Sequence, residues 1–342
     1  MAPSVPDRIV VIGTSAGGVE ALTKLAQTLP HDFAASIVVV LHIGAEVPSL
    51  LPQILSRAGP LLAQEARDGE RLRSGTIYTA VPDHHVLVEE DRTLRLVKGP
   101  RENRHRPAID PLFRSAALAF RSRCIGVVLT GTLDDGTAGM LSVKKAGGVT
   151  IVQDPADALF PSMPQNVLDY LKVDYVLPLA DIAAKLVECI KVPCTTTERF
   201  PNLEMLDMEK KIVALDPATL QKDDRPGKPS PYSCPDCGGV LWEIEDGDGD
   251  RDYVRYRCRV GHAFSPETML DAQSQVLEEA LWSAIKTLEE SARLSARLAE
   301  GERKRGHDWL VKRFEARERD ARERSEVIRR FLTVEEPQEA LK

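Results

Sequence analysis

A serine at the turn between a predicted strand and a predicted helix is the strongest candidate for chemistry in this chain. The apolar run at residues 9–12 leads into GTSAGG at 13–18, and the pattern GxSxG places Ser15 at the turn. Small flanking residues tolerate such a turn and leave the hydroxyl exposed at the sheet edge. The following helix N-terminus could stabilise an oxyanion. The alternative is a glycine-rich turn that binds a phosphate, and this stretch alone does not separate the two.

Two further polar elements occupy the equivalent place after other predicted strands. His42 follows one uniformly apolar run, and Asp134 and Asp135 come just after another. Ligands of open α/β sheets bind outside the carboxyl ends of the strands, so a suitable strand order would bring these side chains to Ser15. An imidazole can take the serine proton, and a carboxylate can orient the imidazole. A lone histidine is more often structural, and we expect one of the two aspartates to serve only as a helix N-cap.

The apolar periodicity predicts the elements that must position these groups. Strand and helix patterns alternate between residues 8 and 190, and the run at 36–42 is typical of a strand covered on both faces. Three short strand patterns, at 76–81, 85–88 and 93–97, suggest an antiparallel flap. The sequence therefore predicts an α/β fold with a doubly wound, mostly parallel sheet.

Composition excludes several classes of function. The 342 residues are 43% hydrophobic, which is enough for a domain of about 200 residues and a smaller unit besides. A net charge of −7 argues against nucleic-acid binding, and no apolar run is long enough to insert into a membrane. The N-terminus lacks the pattern of a signal peptide, so we expect a cytoplasmic, reducing location in which cysteines bind metal rather than form disulfides.

Four residues in the second half of the chain have the spacing of a metal site. Cys234 and Cys237 form a CxxC pair, and after twenty intervening residues Cys258 and His262 form CxxxH. Three thiolates and one imidazole are a closed tetrahedral set for structural zinc, with no position left for substrate. We therefore predict a zinc-ribbon-like unit at 232–265 that scarcely folds without its metal.

The segments around this unit have different compositions. Residues 195–231 are rich in proline and read as a linker with one strand at 211–214, whereas 266–334 read as a helical hairpin or coiled coil. Its heptad seam includes Leu281, Leu288 and Ser295. The seam could pack on itself, dimerise or dock on a helical partner, and self-packing is the simplest reading.

Four motifs in the first 194 residues resemble the catalytic domain of the bacterial chemotaxis protein-glutamate methylesterases. In chain order they are GTSAGG at 13–18, VLH at 40–42, NRHRPAIDPLF at 103–113 and LTGTLDDGTAGM at 129–140. The resemblance implies a catalytic domain at 1–194 with a triad of Ser15, His42 and Asp135 and no cofactor for catalysis. It also implies the substrate, which is the γ-methyl ester of glutamate on chemoreceptor helices, with deamidation of receptor glutamines in some members.

The chain departs from that family in three ways. Where members commonly read GMGNDG, residues 131–136 read GTLDDG, which puts a larger residue and an extra charge beside Asp135. The catalytic pattern begins within ten residues of Met1, so we expect no receiver domain before it. About 150 residues follow the catalytic pattern, and we expect them to dock or position the enzyme. Arg104 and Arg106 are candidates for steering an acidic receptor segment, and we expect His105 to be structural.

Three functions compete for this pattern. The leading hypothesis is a serine esterase or amidase acting on receptor glutamyl side chains. The alternative is a noncatalytic signalling or scaffold module that retains the fold. A nucleotide-binding protein is a weaker rival, because the turn at 13–18 lacks the Walker lysine and the GxGxxG spacing.

Overall fold

The computed structural model describes residues 6–46, 48–192, 203–221, 225–247 and 252–333. The chain divides into one compact unit up to residue 269 and a second unit from residue 270 onward.

The first part of the compact unit alternates strands and helices. In chain order these are β1 Ile9–Thr14, α1 Gly18–Thr28, β2 Ser36–Leu41, α2 Leu51–Ala58, β3 Leu62–Glu65, β4 Thr76–Thr79, β5 His85–Val88, β6 Leu94–Val97, α3 Ile109–Phe120, β7 Cys124–Val128, α4 Thr137–Lys145, β8 Val149–Gln153, α5 Ser162–Tyr170, β9 Tyr175–Leu177 and α6 Leu179–Lys191.

Within the described residues, seven parallel strands form the central sheet in the order β3-β4-β2-β1-β7-β8-β9. Alternate residues of β1 face opposite sides: Ile9 and Val11 pack with the core under α3, α4 and α5, and Val10 and Ile12 pack with the core under α1, α2 and α6. This confirms the predicted doubly wound fold. Because β2, β1 and β7 are neighbours, the loops after them share one crevice.

The predicted antiparallel flap is wrong in one of its three strands. β4 belongs to the parallel sheet, between β3 and β2, and only β5 and β6 form an antiparallel pair. The apolar run of β4 is buried throughout, as a strand inside a covered sheet requires.

The compact unit continues beyond the parallel sheet with two helices and a four-stranded antiparallel sheet. These elements are α7 Leu203–Val213, α8 Pro217–Gln221, β10 Lys228–Ser233, β11 Val240–Gly247, β12 Asp252–Cys258 and β13 Ala263–Phe264.

Helix α7 corrects the prediction of a linker with one strand in this region. The strand predicted at 211–214 is instead the end of α7, which packs against α3 and buries Leu206, Ile212 and Val213. Leu206 and Val213 are seven positions apart, which is about two helical turns, so a helix brings them to one face, whereas a strand would point the adjacent Ile212 and Val213 to opposite faces.

A buried charge cluster joins the antiparallel sheet to the first part of the unit. Glu209 of α7 accepts hydrogen bonds from Arg255 and Arg257, and Glu102 accepts them from Arg114 and Arg257. All five side chains are at most 5% exposed. Burial opposes ionisation, but the adjacent guanidinium groups of Arg114 and Arg257 hold the pKa of Glu102 at about 2. The cluster is therefore charged at neutral pH and fixes the two parts together.

The second unit is a helical hairpin, as predicted. Helix α9 spans Pro266–Arg305 and belongs to this unit from residue 270 onward, and helix α10 spans Asp308–Thr333. The pairs Arg303–Glu315 and Arg329–Glu289 connect the two helices in an antiparallel arrangement.

The seam of the hairpin agrees with the predicted one in part. The structure buries Ser295 of the predicted seam, together with Ile285, Ala292 and Ala299, whereas Leu281 and Leu288 are half-buried. The buried stripe therefore lies partly beside the predicted seam. Within the described residues, no helix is both long and apolar enough to span a membrane.

Candidate functional site

Ser15 lies in a turn that is tied to the neighbouring strand loop. Its N–H donates to the carbonyl of Thr130 (3.1 Å), and Thr14 Oγ1 donates to the same carbonyl (2.8 Å). Gly17 adopts a φ of 75°, which favours glycine, and α1 starts directly after it. Because the N–H groups of Ser15 and Gly18 are already bonded, those of Ala16 and Gly17, just before α1, are the candidate oxyanion donors.

His42 and Asp135 form a short hydrogen bond beside this turn. His42 Nε2 lies 2.7 Å from Asp135 Oδ2, and Asp135 also accepts from the N–H of Ile109 (2.6 Å). The carboxylate requires a proton on Nε2, so Nδ1 is the nitrogen that can accept another proton. Burial opposes ionisation of Asp135, but the hydrogen bonds from His42 and Ile109 hold the pKa of its carboxyl below the usual range.

Ser15 and His42 line one cavity of about 440 Å³. His42 Nδ1 is buried and has no hydrogen-bond partner among the described residues, and Ser15 is therefore not bonded to it. In unliganded active sites such contacts are often long and tighten when substrate binds. The structure thus brings the three predicted residues to neighbouring strand ends, with the acid–base pair already formed.

The predicted N-cap role of an aspartate falls to a different residue. Asp110 Oδ1 accepts from the N–H groups of Gly136 (3.0 Å) and Gly139 (2.7 Å) at the start of α4. Gly136, with a φ of 105°, is the N-cap position, so Asp134 lies two residues before the N-cap. No local pattern predicts the capping role of Asp110, although it lies within the motif at 103–113.

Asp134 is buried without a matching charge. Only 2% of the residue is exposed, and its Oδ1 has no hydrogen-bond partner among the described residues. Burial is the main reason that the pKa of its carboxyl rises to about 7. The hydrogen bond to His42 is made by Asp135 instead.

The rim of the cavity is basic, because Arg101, Arg104, His105 and Arg106 all line it. The His105 ring stacks on the His42 ring with centroids 3.6 Å apart, and burial followed by the neighbouring His42 lowers its pKa to about 4. Arg106 is bound to Asp83 through Nε (2.8 Å) and to the Gly99 carbonyl (2.7 Å), which weakens the case for a steering role.

The four predicted metal ligands lie together, with all their ligand atoms within 4.8 Å of one another. His262 Nδ1 is 3.7 Å from Cys234 Sγ and 3.6 Å from Cys258 Sγ, and Cys237 Sγ is 3.7 Å from Cys258 Sγ. Zinc–sulfur bonds of about 2.3 Å in a tetrahedron would place the sulfurs about 3.8 Å apart. The group therefore has the dimensions to hold a zinc ion.

Together, a parallel sheet with a serine, a histidine–aspartate pair and a cavity at its carboxyl edge has the layout of a serine hydrolase. The sequence model described as CheB methylesterase matches residues 10–186, and the chain belongs to that family.

Curated relatives and a solved structure agree with this assignment. A protein of Leptospira interrogans, provisionally named a protein-glutamate methylesterase/protein-glutamine glutaminase, is 41% identical over 51% of this chain and 90% of its own length. The Thermotoga maritima protein of that name is 37% identical over 55% of this chain and 56% of its own length. The crystal structure of the Thermotoga maritima CheB methylesterase catalytic domain superposes with a TM-score of 0.51 at 37% identity, covering 53% of this chain and 97% of that one.

One departure from the family motif has a visible backbone consequence. Leu133, where members commonly have glycine, adopts a φ of 62°, and its carbonyl accepts a hydrogen bond from Asn166 (3.0 Å). A left-handed conformation costs a leucine about 1–2 kcal/mol. The loop before Asp135 is therefore held by its surroundings.

Proposed function

We propose that this protein hydrolyses the γ-methyl esters of glutamate residues on the cytoplasmic helices of chemoreceptors and also deamidates receptor glutamines. The observation that carries this proposal is the 2.7 Å contact between His42 Nε2 and Asp135 Oδ2, which leaves Nδ1 as a base in the cavity of Ser15. Family membership and the names of the relatives support the same substrate class.

The proposed reaction proceeds through an acyl-enzyme. Ser15 Oγ attacks the ester carbonyl while His42 takes its proton, and Asp135 stabilises the resulting imidazolium. N–H groups just before α1 stabilise the tetrahedral oxyanion. His42 then returns the proton to the departing methoxide, and methanol leaves. Water, activated by His42, hydrolyses the acyl-enzyme to glutamate, and a glutamine substrate would release ammonia by the same steps.

Release of methanol from methylated receptor membranes tests the proposal. We expect release by the wild-type protein and a reduction of about three to four orders of magnitude in Ser15→Ala, because the nucleophile is removed. Ser283→Ala, which alters an exposed serine of α9, is the matched control and should be fully active. Equal release by Ser15→Ala and wild type would favour the noncatalytic signalling module instead.

We also propose that Cys234, Cys237, Cys258 and His262 bind one structural zinc ion. Three thiolates and an imidazole suit zinc, and the coordination would be complete without a water or substrate. The metal would fold the antiparallel sheet and take no part in the hydrolysis, for which we propose no cofactor.

Metal analysis of protein purified under reducing conditions tests the zinc site. We expect about one zinc per chain, lost in Cys258→Ser and kept in Cys189→Ser, which removes a cysteine outside the group. Metal-free protein whose antiparallel sheet is still folded would contradict the proposal.

Location and partners follow from the proposed substrate. Receptor cytoplasmic helices and zinc thiolates both suit the reducing cytoplasm. Self-association through the helical hairpin stays a prediction, as do the domain boundaries at residues 194 and 231.

A further inference from the structure

Asn103 links the proposed triad aspartate to another buried carboxyl. Its Nδ2 donates to Asp135 Oδ1 (3.0 Å) and to Asp110 Oδ2 (2.9 Å), and only 4% of the residue is exposed. Its φ of 48° is left-handed, which asparagine tolerates better than most residues. Both amide hydrogens are therefore committed to carboxyl oxygens, one of which belongs to the partner of His42.

The other side of the Asn103 amide is held by residues that follow the Cys/His group. Its Oδ1 accepts from the N–H of Ser265 (3.1 Å) and from Thr268 Oγ1 (3.4 Å). Ser265 and Thr268 are essentially buried and bond each other. The backbone is tied as well, because the Asn103 N–H donates to the Ala263 carbonyl (2.8 Å).

We infer that Asn103 is a positioning residue for Asp135 and that residues 263–268 set the orientation of its amide. The C-terminal part of the compact unit thus completes the active site without supplying a reacting group. The side-chain amide of Asn103 can adopt two orientations related by a flip. In only one of them does its NH2 group donate to both carboxyls while its oxygen accepts from Ser265 and Thr268. This inference rests on the proposed esterase function.

The inference predicts a measurable effect on the pH dependence of the reaction. The positive end of the Asn103 N–H dipole offsets the negative charge of Asp135, so its loss should strengthen the attraction between that carboxylate and the imidazolium form of His42. The other titratable or charged groups near this pair stay unchanged in the variants below: they are Asp110, Asp134, His85, His105, Arg101, Arg104 and Arg106.

Thr268→Val and Thr268→Ser form the matched pair of variants in the full-length protein. Valine keeps the shape but removes the hydroxyl, so we expect kcat on a soluble ester to fall about threefold with KM unchanged, and serine should restore it. Asn103→Ala should lower kcat about tenfold and shift the acid limb of the pH profile upward. Because Thr268 acts through Asn103, adding Thr268→Val to Asn103→Ala should cause no further loss.

Two results would overturn the inference: wild-type kcat and pH profile in Thr268→Val, or effects of the two substitutions that multiply. Circular dichroism checks folding, and if Thr268→Val fails to fold, Asn103→Ala decides alone. NMR titration of the His42 ring, assigned with His42→Gln, gives a readout that needs no turnover. If the wild type proves inactive on esters, the proposed function fails, yet an unshifted His42 titration in Asn103→Ala would still refute the positioning role.

Discussion

Asp135 and Glu209 are both fully buried carboxylates, but their partners differ in kind. Glu209 faces the guanidinium groups of Arg114, Arg255 and Arg257. Asp135 faces neutral N–H donors and one imidazole, whose second nitrogen has no partner among the described residues.

The difference separates a structural use of buried charge from a chemical one. Around Glu209 the negative charges are balanced by arginines of the protein itself, so the cluster needs no ligand to neutralise it. Around Asp135 the positive charge is supplied only when His42 takes a proton, which is the event that serine attack requires. A buried carboxylate whose countercharge is created during reaction is thus the mark of the active site.

The largest expected effect is the loss of activity when His42 or Asp135 is replaced. His42→Ala should lower methyl ester hydrolysis by about three to four orders of magnitude because it removes the base, and Asp135→Asn should be somewhat less severe because His42 remains. Steady-state kinetics measures both. Asp134→Asn is the matched control beside Asp135 and should have little effect on activity. Greater sensitivity at Asp134 would mean that the wrong aspartate has been assigned to the triad.

Substitutions in the charge cluster around Glu209 should change the stability of the protein rather than its catalytic activity. Glu209→Gln leaves three guanidinium groups short of one carboxylate, and we expect it to lower the free energy of unfolding by about 3–5 kcal/mol. Denaturant unfolding measures the loss. The control is Glu245→Gln in the exposed pair with Lys228, which should leave the unfolding midpoint unchanged. Equal midpoints for both variants would remove the distinction between the two kinds of site.

Asp134 should produce the smallest effect, and one that depends on pH. Its folded pKa of about 7 exceeds the unfolded value, so the folded state binds the extra proton and stability falls as pH rises from about 4 to 7. Asp134→Asn should therefore be more stable than wild type at pH 8 and little changed near pH 4, because it removes the cost of ionising this buried carboxyl. Thermal unfolding at the two pH values checks this, and a stabilisation that is the same at both would contradict it.

The sequence predicted most of the positions at which candidate active-site residues follow strands. Ser15, His42 and the aspartate pair each follow a buried strand, and strand periodicity is a local property that tertiary packing left unchanged here. The CxxC and CxxxH pairs also predicted a metal site from the sequence, because the short spacing within each pair brings its two ligands together through local backbone geometry. The likeness of four motifs to one family then indicated which of these side chains form a triad, which periodicity cannot give.

The tertiary structure alone decided how distant segments complete the site. Asn103 is 32 residues from Asp135 and 165 from Thr268, so no local pattern connects them. The same holds for Asp110 as the cap of α4, and for Glu209, whose helix lies in a proline-rich segment that the sequence presents as a linker. Hydrogen bonds and charge pairs between remote residues depend on which surfaces pack together in the folded chain. The sequence gives the side chains, but not which of them come into contact.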